Sequence, residues 1–320
     1  MTNHTSPLTL LLDDRAGHNA QTRGIARALS LHTQEITLQF NALARLPNAL
    51  IRGASHLDAA SKATLSQVKD GLVIATGRRM IPVLRTLKKR HPTLTCIYTM
   101  WARDALFCDL IIAPAHDNPP ALPNVFITQG VLHGITPELL AHAKSEWAEK
   151  FSLLPLPRIA VLVGGDTKHA KFTLSDGAWF IARAQQIAGD GTLMVSTSRR
   201  TPADVAALIQ QKLQPADIFY PAGSSEKNPY LGYLAHADAV IVSGDSLSMC
   251  CEATATGKPV FIHVPEGGVS KKHAALHASL YAAGTAQPLT HQSTLHWQPK
   301  PAPHEATQVA AYIKQFLTIS

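Results

Sequence analysis

The residues best suited to chemistry in this 320-residue chain fall in four short polar stretches, each directly behind an apolar run. The first is Asp13-Asp14-Arg15-Ala16-Gly17-His18-Asn19-Ala20-Gln21. Gly17 would let the backbone approach a ligand, and a helix starting there would present amide hydrogens to an anion. His18 has the titration range of a general base and can hydrogen-bond a hydroxyl; Asp14 is a second candidate base. The same residues read equally well as a polar helix cap. The second stretch, Gly164-Gly165-Asp166-Thr167-Lys168-His169, could cradle a phosphate through backbone N–H groups or form only a tight turn. It has neither Walker nor GxGxxG spacing. In the third, Ser198, Arg199 and Arg200 precede Thr201-Pro202, which reads as the N-cap and first position of a helix. Hydroxyls beside paired guanidiniums make either an anion pocket or an exposed cap with solvated arginines.

The fourth stretch is the most informative. The apolar run 239–242 ends in Ser243-Gly244-Asp245-Ser246, a small-residue turn that exposes the amides of a following helix to a diphosphate. Glu252 lies about two turns along that helix, close enough to take both hydroxyls of a ribose. Gly257 reads as a left-handed helix cap, and Pro259 opens the next strand. Met249, Cys250 and Cys251 read as core-facing helix residues, because no base flanks the thiols.

Positioning these stretches requires alternating strands and helices. Short apolar runs predict strands over 8–12, 36–40, 71–76, 95–100, 109–113 and 125–128, with helices over 19–31, 80–90 and 136–150. Residues 151–157 contain Pro155 and Pro157 and no clear period, the mark of a linker. The pattern restarts with strands over 158–163, 192–197, 217–220, 239–242 and 259–264. Helices over 175–188, 230–236, 247–256, 271–283 and 304–317 alternate with or follow them. Apolar strands joined by helices imply parallel sheets covered on both faces. The expected fold class is therefore α/β, two doubly wound, Rossmann-like domains facing a cleft. The first would span 1–150 on the acceptor side, the second 158–320 on the ligand side, with the last helix able to cross back. Arg78 and Arg79, and the pair His116-Asp117, also follow strands and are candidates for the acceptor side, as is Gly17. His116-Asp117 reads equally as a structural turn, and no nucleophile completes a triad.

Composition narrows the classes. Apolar residues are 46% and charged residues 16%, so the chain is globular rather than disordered. Cys96, Cys108, Cys250 and Cys251 form no zinc spacing, and the adjacent pair disfavours mutual bridging, so a reducing cytoplasm is expected. The apolar run 8–12 is stopped by Asp13 and Asp14, too early for a signal peptide, and no run suits a membrane span. The net charge of +7 comes mostly from residues 1–157, with 16 Lys/Arg against 11 Asp/Glu. That excess is a solvated face or a draw for anionic lipid or an acidic ligand. Nucleic acid is not expected, since no aromatic residues interleave with the charge. None of the 16 histidines shows metal-site spacing, so neither metal nor cofactor is expected.

The run from Asn228-Pro229-Tyr230 to Gly257-Lys258-Pro259 resembles the nucleotide-sugar half of GT-B glycosyltransferases, in particular those that complete lipid II. The resemblance implies a diphosphate role for Asp245, Ser246 and Ser248, a ribose role for Glu252, and uridine as the default base. The Gly17-His18 loop is similar to the loop near the reacting centre of those enzymes. A second resemblance spans nearly the whole chain. Asp14 to Gln21, Thr76-Gly77-Arg78-Arg79, Pro114-Ala115-His116-Asp117, Thr128-Gln129-Gly130-Val131-Leu132-His133, Gly164-Gly165-Asp166, Thr197 to Pro202 and Asp245-Ser246-Leu247-Ser248-Met249 recur, in this order, in one family. It is the mitochondrial-fission family first recognised in plants, and this chain resembles its bacterial branch. Together these resemblances imply a cytoplasmic GT-B-like glycosyltransferase, peripheral to the membrane, with a nucleotide-diphosphate sugar as substrate and a lipid-linked acceptor. An epimerase or hydrolase on the same fold, or a non-catalytic adaptor at a membrane surface, would fit the same pattern.

Overall fold

The computed structural model describes residues 8–168, 170–302 and 305–319, so His169 and residue 304 of the last expected helix lie outside the described residues. The chain divides into two compact units, 1–134 with 305–320, and 135–304.

The first unit opens with β1 (Leu8–Leu12), α1 (Ala16–Leu29) and β2 (Thr33–Thr37). Then come α2 (Ala59–Leu65), β3 (Leu72–Thr76), α3 (Met80–Arg90), β4 (Thr95–Thr99), β5 (Leu110–Pro114) and β6 (Val125–Thr128). All six strands are parallel, in the order β2-β1-β3-β4-β5-β6. β1, β3 and β5 are buried throughout, which is why they read as apolar runs, broken only by Thr9 in β1 and ended by Thr76 in β3. β2 lies earlier than the apolar residues predict. It is an edge strand that buries only Ile36, so polar Thr33, Gln34 and Glu35 are tolerated opposite Leu8, Thr9 and Leu10.

The second unit begins with α4 (Pro137–Glu146), capped by Thr136 Oγ1 on Leu139 N at 3.1 Å, and the short α5 (Ala148–Phe151). It continues through β7 (Arg158–Val163), α6 (Leu174–Ala188), β8 (Thr192–Thr197), α7 (Ala203–Lys212) and β9 (Ile218–Tyr220). It closes with α8 (Tyr230–His236), β10 (Ala239–Ser243), α9 (Leu247–Thr254), β11 (Val260–His263), α10 (Lys271–Ala283) and β12 (Gln287–Pro288). The strand order is β12-β11-β10-β7-β8-β9, again parallel. The final helix, α11 (Glu305–Ile319), returns to the first unit, where Val309, Ala310 and Ile313 are buried with Ile25 and Leu29 of α1.

The boundary thus falls near residue 135, not at the proline-containing segment. Packing decides this. Phe151 is buried against Tyr233, Trp147 stacks on Phe151 with centroids 5.1 Å apart, and a Cβ on Gly232 would lie 2.6 Å from Trp147 Cγ. Those aromatics fix α4 and α5 to α8, leaving 152–157 as a connection inside the second unit.

Candidate functional site

In an open parallel sheet, ligands bind beyond the carboxyl ends of the strands where the strand order reverses. That point is β1/β3 in the first unit and β7/β10 in the second. All four polar stretches supply residues to these two points.

At the β1/β3 point the organising residue is Asp13, which the sequence placed in the first polar stretch without a role of its own. It is 3% exposed at the end of β1. Asp13 Oδ1 accepts from Arg15 N at 2.8 Å, and Oδ2 lies 3.1 Å from both His18 Nδ1 and Arg79 Nη2. Burial alone would raise its pKa, but the bonds from His18, Arg15 and Arg79 together hold it below the ordinary value. Asn19 completes the joint, accepting from Asp13 N at 3.0 Å and donating to its carbonyl at 2.8 Å. The helix therefore starts at Ala16, earlier than predicted, and places Gly17 and His18 in its first turn. With Asp13 ionised, a neutral His18 carries its proton on Nδ1, leaving Nε2 as the acceptor. A Cβ on Gly77 would come within 2.5 Å of the His18 ring, and Gly77 has φ of +100°, so glycine is required there.

The other first-unit candidates separate. Asp14 is exposed, and its carboxylate is taken up by Arg79. Arg79 also lies over the Phe40 ring at 4.3 Å. Arg78 turns away: its guanidinium donates to the carbonyls of Leu46 at 2.6 Å and Ala44 at 2.7 Å and clamps that segment. His116 and Asp117 follow β5 and lie 4.0 Å apart, both side chains largely shielded from solvent.

At the β7/β10 point the glycine pair is explained by close packing. Gly164 N donates to Ser243 Oγ at 2.5 Å and Gly165 N to Asp245 Oδ2 at 3.0 Å. A Cβ on Gly164 would sit 2.0 Å from Asp245 Oδ1, and one on Gly165 2.0 Å from the Arg200 carbonyl. These amides are engaged internally, which corrects the expectation that they cradle a phosphate; the tight-turn alternative holds. Asp245 is 4% exposed and pairs with Arg200 Nη1 at 2.7 Å, so this carboxylate ties two loops together and presents no charge to a diphosphate. Ser198 Oγ donates to the Gly164 carbonyl at 2.9 Å, and Asp166 N to the Arg200 carbonyl at 3.0 Å. Asp166 Oδ1 accepts from Phe172 N at 3.0 Å. Thr201 does not cap α7. Its hydroxyl bonds the Val163 and Gly164 carbonyls and accepts from Ser198 N at 3.0 Å. Arg199 lines a recess of about 490 Å³ with Ser198, Phe219 and Pro221.

The amino end of α9 is open. Ser246 makes no side-chain cap, and the first helical bond runs from Cys250 N to Ser246 O at 3.1 Å, so the amides of Leu247, Ser248 and Met249 have no helical carbonyl. Ser248 and Glu252, four residues apart, share one helix face. Glu252 Oε2 accepts from the Tyr230 hydroxyl, while Oε1 takes no hydrogen bond from the described residues. Burial pushes the Glu252 carboxyl up to about 7 against the opposing effect of that hydrogen bond. Cys250 and Cys251 are buried, as expected of core residues. His273 of α10 steadies the turn, Nε2 lying 3.2 Å from the Asp245 carbonyl and Nδ1 2.6 Å from Ser270 Oγ.

A family model described as Mitochondrial fission ELM1 matches residues 16–317. The chain belongs to this family. An uncharacterised protein of Rickettsia prowazekii is 28% identical to this ELM1-family chain over 97% of it and 98% of the relative. Mitochondrial fission protein ELM1 of Arabidopsis thaliana is 28% identical over 69% of this chain and 57% of its own. The family chain is also similar in fold to UDP-GlcNAc 2-epimerases. One from Neisseria meningitidis, bound to UDP-GlcNAc, has a TM-score of 0.54 at 11% identity, covering 98% of this chain and 100% of that one. Another, from Methanocaldococcus jannaschii in complex with UDP-GlcNAc and UDP, has a TM-score of 0.53 at 13% identity with the same coverage. The ELM1-family chain thus has a GT-B-like fold. Among its described residues no helix is long and apolar enough to cross a membrane.

Proposed function

We propose that the second unit binds a nucleoside-diphosphate sugar and that the protein is a GT-B-type glycosyltransferase. The observation that carries this reading is the face of α9. Amides at its amino end that take no hydrogen bond among the described residues, with the hydroxyls of Ser246 and Ser248, suit a diphosphate. One turn beyond Ser248, Glu252 Oε1 is available to accept from ribose hydroxyls. Uridine is the base chosen for testing.

In the reaction an acceptor hydroxyl attacks the anomeric carbon and the bond to the diphosphate breaks. Charge then builds on the leaving phosphate oxygen, where fixed amides stabilise it without reorganising. The acceptor proton goes to a general base. His18 Nε2 is the group we assign, with Asp13 on Nδ1 to set the tautomer and stabilise the imidazolium. Asp14 is the weaker choice, being exposed and paired with Arg79.

Calorimetric titration of UDP and UDP-N-acetylglucosamine into wild type and Glu252→Ala tests the binding step. Equal affinities would remove the proposed ribose contact. Product analysis with a lipid-linked acceptor tests the chemistry. A glycosylated acceptor supports transfer, whereas an epimerised or hydrolysed nucleotide sugar assigns the same site to the epimerase or hydrolase reading. Binding without any product would favour the adaptor.

A further inference from the structure

A second polar recess, of about 540 Å³, lies in the first unit and plays no part in the chemistry above. Its walls are the turn Arg52–Ser55, the exposed side of α2 at Lys62 and Ser66, and Arg90 at the end of α3. The fold builds it through Gly53, which takes φ of +56° and passes 3.8 Å from Thr86 Oγ1 of α3, measured from an added Cβ. Three cationic residues, Arg52, Lys62 and Arg90, line this recess. No carboxylate lines it, and none of the three forms an ion pair among the described residues. The nearest acid in sequence, Asp58, caps the helix, accepting from Ser61 N at 2.7 Å. That bond first, and the charge of Lys62 besides, hold its carboxylate below the ordinary value. Arg52 and Arg90 are thus the cations of the recess with no ion pair or charge partner among the described residues.

Like charges lining one hollow repel one another, and a dianion placed among them relieves that repulsion while accepting charge-assisted hydrogen bonds. Two arginines, a lysine and Ser55 among the lining residues supply the kind and number of donors that suit a phosphate better than a monocarboxylate. We propose that this recess binds a phosphate group, either free or at the head of an anionic lipid. It is independent of the nucleotide-sugar site, which lies in the other unit.

The test is amide NMR of the full chain titrated with inorganic phosphate at low ionic strength, in wild type and Arg52→Ala/Arg90→Ala. We expect saturable shifts at Gly53, Ser55 and Ser66 in the wild type and at least a tenfold weaker affinity at those amides in the variant. Shifts confined to residues 246–249, or equal affinity in the variant, would overturn the proposal. Because all three cations are exposed, the variant is expected to keep the wild-type melting temperature, and Arg52→Lys/Arg90→Lys should recover part of the affinity. Sedimentation with phosphatidylglycerol vesicles separates the sources. Binding competed by phosphate and lost in the Ala variant points to a lipid headgroup; phosphate shifts without vesicle binding point to a free phosphate.

Discussion

The hydroxyl of Tyr230, at the start of α8, donates to Oε2 of Glu252 in the middle of α9. The bond holds one carboxylate oxygen and leaves Oε1 without a hydrogen bond from the described residues. It also opposes the burial that pushes Glu252 up to about 7. Tyr230→Phe should therefore raise that pKa further and weaken UDP binding at pH 7 by roughly three- to tenfold, with recovery at higher pH. Calorimetry at pH 7 and 8.5 checks this; a deficit independent of pH would contradict it.

Glu252 also has a predictable linkage. Its folded pKa lies above the ordinary 4.5, so the native state holds the proton more tightly. The destabilising contribution is absent well below 4.5, grows as pH rises towards 7, and is constant above. Glu252→Gln should then stabilise the protein by about 1–3 kcal/mol at pH 7.5 and by little at pH 4.5, while losing nucleotide affinity. Urea denaturation at the two pH values is the measurement.

Asp13 and Asp14 are adjacent in sequence and opposite in consequence. Asp13→Asn leaves Arg79 and His18 without their buried partner and should cost roughly 2–4 kcal/mol at pH 7, whereas Asp14→Asn should cost well under 1 kcal/mol. Asp13 has its folded pKa below 3.8, so its contribution is full above that value and is lost as pH falls through the folded pKa. The Asn variant should show a flatter acid limb below pH 4.

Gly165→Ala would drive a Cβ to 2.0 Å from the Arg200 carbonyl, a backbone atom with no rotamer to change. A loss of about 3 kcal/mol or more is expected. Ala at Gly189, where φ is +56° but nothing lies within 4 Å, should cost about 1 kcal/mol, the backbone strain alone. Denaturant midpoints of the two variants separate collision from strain.

Ile313→Ala should cost about 2–5 kcal/mol, because Ile313 is fully buried with Ile25 and Leu29. The loss should fall on the first unit although residue 313 stands at the other end of the chain. Hydrogen exchange in β1 and β3 should accelerate, with β7 and β10 unchanged.

Most of the strands were legible because a parallel strand covered on both faces must be continuously apolar, as β3, β7 and β10 are. Edge β2 was not, since one buried residue carries no period. Glu252 and the Ser246-Ser248 pair could be read from α9 because helical spacing alone puts residues 248 and 252 on one face. Tyr230 was visible only as part of the resembling run, and Asp13 passed as a strand terminator. No local pattern could show that they reach Glu252 and His18.

The order of apolar runs and polar stretches by itself determined two parallel α/β sheets with polar loops behind their strands. Tertiary structure alone decided that α4 and α5 belong to the second unit and that Gly164 and Gly165 serve close packing, and it made a fact of the expected option that the last helix crosses back. The physical reason is that periodicity reports which face of an element is buried, whereas partner and contact distance depend on residues far away in sequence. Trp147 against Gly232, Ile313 against Ile25, and Asp245 against Gly165 are such contacts.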